Sequence, residues 1–87
     1  MDEAFSTEPV QAFRKGQTVR MIGPSVVVTI RSENPPIGTV GIVTRTSLHS
    51  DGGTREYMYH VKWFIQPHEG SVWFEKYYAH ELELLAT

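Results

Sequence analysis

The side chains that could do chemistry in this 87-residue chain are few and scattered. Four histidines (His49, His60, His68 and His80) stand at spacings that match neither an HxH nor an HExxH metal motif. No residue is a cysteine, so thiolate zinc sites, iron–sulfur ligation, disulfides and a thiol nucleophile are all excluded. The serines and threonines lack a GxSxG elbow, and no Ser–His–Asp order follows from their spacing. Glu81 and Glu83, two apart with His80 beside them, would share one side of a strand. A general acid–base pair could be built there, but a solvated strand face is the simpler reading. The sequence therefore points to no catalytic residue, no metal site and no cofactor, and the chain is read as a non-enzyme.

Aromatic residues carry more information. If Tyr57, Tyr59, Val61 and Trp63 face inward along one strand, then Met58, His60, Lys62 and Phe64 face outward. On a following short strand, Val72 and Phe74 as core place Trp73 outside, while Tyr77 and Tyr78 fall in an adjoining turn. A small domain cannot bury all of these rings, and exposed Trp and Tyr favour binding because they offer large area at little entropic cost. The expected partner-binding face is Phe64, Trp73, Tyr77 and Tyr78 with flanking Lys62 and Lys76. The competing reading makes the surplus rings a second small core over one end of the fold. An alkyl-ammonium cage would also use clustered rings around an acid.

Charge supplies the alternative. Net charge is −2, yet residues 1–12 hold three acids and no base, and residues 13–87 hold eight bases against seven acids. Arg20, Arg31 and Arg45, on solvent faces of neighbouring strands, could form a mild basic stripe for nucleic acid, with Arg14, Lys15, Arg55 and Lys62 in support. Near-neutral balance ranks this behind protein binding, since nucleic-acid affinity rests on a concentrated excess of Lys and Arg. A small modulator or inhibitor of an enzyme or nucleoprotein complex is a variant of the protein-binding reading.

The elements that must position these residues are short strands. Residues 1–12 (MDEAFSTEPVQA) read as a flexible acidic tail, with docking of Phe5 or Val10 as the alternative. Residues 13–87 read as one domain, entered through a turn at Phe13–Gly16. Strands are expected over Thr18–Ile22, with Val19 and Met21 on one face, then Ser25–Arg31 and Gly38–Thr46, where Gly41 marks a bulge or a sharp coil. A long polar connection over Ser47–Thr54 turns at Asp51-Gly52-Gly53 into Glu56–Phe64. Val72–Glu75, one helical or 3-10 turn within Lys76–Glu81, and Leu82–Leu85 complete the chain. The expected fold is all-β, a small barrel of five to six short antiparallel strands. The N-terminus lacks a basic region followed by an apolar run, and no apolar stretch would span a bilayer. A cytoplasmic setting without a membrane is the expectation, with oligomeric state left open.

The order of landmarks is Phe13-x-x-Gly16-x-x-Val19-Arg20, a proline-bearing loop, Gly38-Thr39-Val40-Gly41-Ile42-Val43, Tyr59-His60-Val61-Lys62-Trp63-Phe64 and Glu81-Leu82-Glu83-Leu84-Leu85. Over residues 13–85 this order resembles the SH3-like barrels of the electron-transport accessory group. That group includes photosystem I reaction-centre subunit IV, the variable chain of ferredoxin–thioredoxin reductase, and the barrel domain of the nitrile hydratase beta subunit. The resemblance implies a barrel that binds no cofactor itself and docks on a larger enzyme or complex.

Overall fold

The computed structural model describes residues 9–23, 25 and 32–86. Seven strands follow in order: β1 (Thr18–Met21), β2 (Ser32–Glu33), β3 (Val40–Asp51), β4 (Thr54–Trp63), β5 (Val72–Trp73), β6 (Lys76–Tyr78) and β7 (Leu82–Ala86). A single 3-10 turn, Ala79–Glu81, separates β6 from β7. Five strands form an antiparallel sheet in the order β6-β4-β3-β1-β7, and β2 pairs with β5 in parallel. The two outer strands of the sheet are consecutive in the chain, so the 3-10 turn ties one edge to the other. The chain is all-β, as its alternation predicts. No helix among the described residues is long and apolar enough to cross a membrane.

The core follows from strand periodicity. Val19 and Met21 of β1, Val43 of β3, and Tyr59, Val61 and Trp63 of β4 all point inward and are buried, joined by Phe13, Phe74, Tyr77 and Leu82. Burying such side chains contributes about 1.5–3 kcal/mol each, which is what holds a cysteine-free domain of this size. Tyr57 is only half-buried at the margin of this cluster. Met58, expected to face solvent, is buried on the opposite side of β4, beside Ser47 of β3 and Tyr78 of β6 in the register.

Gly41 does not mark the bulge. The β3–β4 register shifts between Val43 and Arg45, so Thr44 is the extra residue. Gly41 faces Trp63 directly, and a Cβ there would lie 2.6 Å from the Lys62 carbonyl oxygen and 2.8 Å from Trp63 Cε3. Its hydrogen is what lets the indole lie across β3. The expected Ser47–Thr54 connection is also shorter than its polarity implies. Both strands run on until only Gly52 and Gly53 remain, with φ of 59° and 91° as a two-residue turn of the type I′ kind requires. Cross-strand pairing thus overrides polar composition in the outer half of this hairpin.

Other expectations shift by smaller amounts. Val72 is exposed rather than core, and Lys76–Tyr78 is a strand with the 3-10 turn after it. Residues 9–12 are tethered at their inner end, where the Ala12 N–H donates to the Tyr59 hydroxyl at 2.8 Å, while Val10 is 85% exposed. Phe5 and the rest of residues 1–8, together with the expected strand residues 26–31, lie outside the described residues.

Candidate protein-docking face

Trp63 and Trp73 converge where β4 leaves the sheet. The Trp63 indole N–H donates to the Phe74 carbonyl at 3.1 Å, fixing the ring beneath β5. Phe74 N–H in turn donates to the Glu33 carbonyl at 2.8 Å, so the β2–β5 pair braces this end. Between these elements lies an open groove of about 250 Å³, with Lys62, Ile65, Val72, Trp73 and Glu75 in its walls. Phe64, Ile65 and Val72 are 59%, 58% and 58% exposed, an unusual share of apolar side chain left in water over one short stretch. Phe64 is held in place through its backbone, its N–H donating to the Val40 carbonyl at 2.9 Å.

The residues expected to form one face divide among four places. Lys62 and Trp73 line the groove, and exposed Phe64 stands between its lining residues Trp63 and Ile65 in the chain without lining it. Tyr77 is not on the surface at all. It is fully buried, pairs with Tyr59 across β4–β6, and meets Trp63 edge-to-face with centroids 5.4 Å apart. Its expected exposure assumed a turn, whereas pairing with β4 turns its ring into the core. The Tyr77 hydroxyl lies 3.0 Å from the Phe74 carbonyl and 3.1 Å from Asn34 Oδ1, and burial pushes its pKa far above the usual phenol range. Tyr78 points away from the groove. It stacks on His80 at 5.9 Å, meets His49 at 6.5 Å, and borders a separate hollow with Thr54 and Glu56.

Lys76 joins a cationic row that the sequence reading did not assemble. Arg45, His60 and Lys76 are direct neighbours across β3, β4 and β6, with Lys62 two residues along β4 on the same face. The Arg45 guanidinium approaches His60 Nε2 at 3.4 Å, and Ser47 Oγ lies 3.3 Å from the same nitrogen. Partial burial first, then Arg45 and Lys76, lower the His60 pKa below its usual 6.5. The missing signal was pairing register, which places side chains far apart in sequence into one row.

Arg20 and Arg45 of the expected arginine stripe are not neighbours across the sheet. Arg20 is paired with Glu83 of β7, and its register partner on β3 is Val40, well short of Arg45. Arg31 lies outside the described residues. Glu81 and Glu83 do not share a face either: Glu81 is buried in the 3-10 turn, where it accepts the Tyr78 N–H at 2.9 Å, and Glu83 is exposed. His49, expected in a loop, belongs to β3. Among the described residues no three His, Asp or Glu side chains come together as a ligand group.

Comparison with protein-family models gives no match, and no curated protein or solved structure matches this chain.

Proposed function

We propose that the chain is a non-catalytic binding module, built as an SH3-like barrel, that docks on a larger protein through the Trp63–Trp73 groove. One observation carries the reading: Ile65 and Val72, in the walls of a groove that a fixed indole also lines, are more than half exposed, and Phe64, next to Ile65 in the chain, is exposed as well. Large apolar groups presented at a rigid edge favour association, because little side-chain freedom is lost on binding. The strand order and the 3-10 turn before the last strand support the SH3-like assignment.

The cationic row of Arg45, Lys62 and Lys76 beside the groove selects the partner's chemistry. It favours an apolar segment carrying Asp or Glu, through charge complementarity that acts on both rate and specificity. Selection from a peptide display library, followed by titration of the selected peptides, tests this. Peptides rich in apolar and acidic residues should be enriched, and Phe64→Ser/Val72→Ser should weaken them at least about tenfold while the domain stays folded. Retention of full affinity by that double variant would place the binding face elsewhere. The same row is the observation that favours nucleic acid as the second reading. Binding of a single-stranded oligonucleotide that weakens steeply with salt and is lost in Arg45→Gln/Lys76→Gln would establish it instead.

A further inference from the structure

Within the described residues, the outer half of the β3–β4 hairpin leaves one long strand edge open. Among the described residues β1 accompanies β3 only to Ile42, and backbone bonds joining Val43 to Gly16 and Gln17 end that seam. From Arg45 to Asp51, β3 has β4 on one side and, among the described residues, no strand on the other. Such edges are usually blunted by Lys, Pro or a covering segment, yet the run Thr46-Ser47-Leu48-His49-Ser50 contains neither Lys nor Pro.

Which residues offer free backbone groups follows from the ladder. Val61 N–H donates to the Glu75 carbonyl on the β6 side of β4, so Thr54, Glu56, Met58 and His60 turn their backbone groups toward β3. Their register partners Asp51, His49, Ser47 and Arg45 bond inward. Thr46, Leu48 and Ser50 therefore turn N–H and C=O outward, to the open edge.

We infer that this edge pairs antiparallel with the same edge of a second copy, about a two-fold axis at Leu48. The register is self-complementary. Leu48 faces Leu48 of the other copy and Thr46 faces Ser50 in both directions, which joins all the outward backbone groups into hydrogen-bonded pairs. Leu48 is 41% exposed and sits beside half-buried Tyr57 on the same face, so pairing creates a continuous Tyr57–Leu48–Leu48–Tyr57 row across four strands. The same register sets position 45, an arginine, opposite position 51, an aspartate, on both sides of the axis. Shifting the axis by one residue keeps outward groups opposite one another but forfeits the apolar pairing and the charge match together, and shifting it by half a residue forfeits the hydrogen-bond parity. The docking groove lies at the other end of β4: Lys62 is six residues from Glu56, about 20 Å away, so self-pairing leaves the groove open and draws only Arg45 of the cationic row into the pair.

Sedimentation velocity over a micromolar-to-millimolar series tests the dimer on the full chain. The wild-type chain should shift from monomer to dimer with concentration. Ser50→Pro removes an outward N–H without touching the β4 ladder, and should weaken association at least about tenfold with far-UV circular dichroism unchanged. Arg45→Asp should weaken it as well, and Arg45→Asp/Asp51→Arg should restore it, a readout that does not depend on the proline variant. A chain that stays monomeric throughout overturns the inference, as does a dimer indifferent to both Ser50→Pro and Arg45→Asp. Loss in Arg45→Asp without recovery in the double variant overturns this register. Binding of an unrelated strand peptide to the edge of an otherwise monomeric chain would assign the edge to a different partner.

Discussion

Trp63 and Tyr77 meet edge-to-face at 81°, and both reach for one acceptor, the Phe74 carbonyl oxygen. This arrangement locks β4, β6 and the segment after β5 together through a single atom. Tyr77→Phe removes one donor and leaves the ring, and should cost about 1 kcal/mol in urea unfolding. Trp63→Phe removes the other donor and opens space at Gly41, and should cost about 2–3 kcal/mol. Alkali provides a second check. The Tyr77 phenol is held protonated in the fold, while in the unfolded chain it ionises near its usual 10.0, so its contribution is complete below that value and declines as pH rises beyond it. Tyr77→Phe should flatten that alkaline decline in a series of melting temperatures.

Gly41→Ala should be among the most damaging single-methyl changes in the domain. The new carbon would meet the Lys62 backbone and the Trp63 ring inside contact distance, so one strand or the indole must move. A loss of about 2–3 kcal/mol is expected by denaturant titration. Gly23→Ala meets nothing within 4 Å and should be neutral or slightly stabilising.

His60 should titrate below 6.5 by NMR, and Arg45→Gln or Lys76→Gln should raise its midpoint by removing a neighbouring positive charge. The sign for stability follows. The unfolded chain takes up the proton before the folded one does, so His60 contributes fully above pH 6.5 and loses that contribution as pH falls below it. A midpoint at or above 6.5, unmoved in both variants, would contradict the crowding of charge on this face.

Two glutamates two residues apart should behave oppositely. Glu81→Ala strips a buried acceptor from the Tyr78 N–H and should cost about 2–3 kcal/mol. Glu83→Ala breaks an exposed pair with Arg20 and should cost under about 1 kcal/mol in the same titration.

The fold was legible where neighbours along the chain decide burial. Val19 and Met21, and Tyr59, Val61 and Trp63, declare their inward face by period-two alternation, and Gly52-Gly53 declares the hairpin turn. Legibility failed where a distant partner decides. Tyr77 is core only because β6 pairs it with Tyr59, and Met58 is buried only where β3 and β6 flank it. Gly41 looks like a bulge in one strand and proves to be clearance for a ring on the next. The same holds for the candidate site. Phe64, Trp73 and Lys62 were readable as a surplus of surface rings and flanking charge, whereas the Arg45–His60–Lys76 row exists only through register.

The pairing of β1 with β7 sets Thr18 beside Ala86. Paired residues lie about 5 Å apart, so the start of β1 and the end of β7 stand side by side, while the chain before β1 runs on beside Val43 to Phe13 in the core. Met21 on the first of these strands and Leu82 on the last are register partners and both buried, so the core is complete only when the final strand has been added.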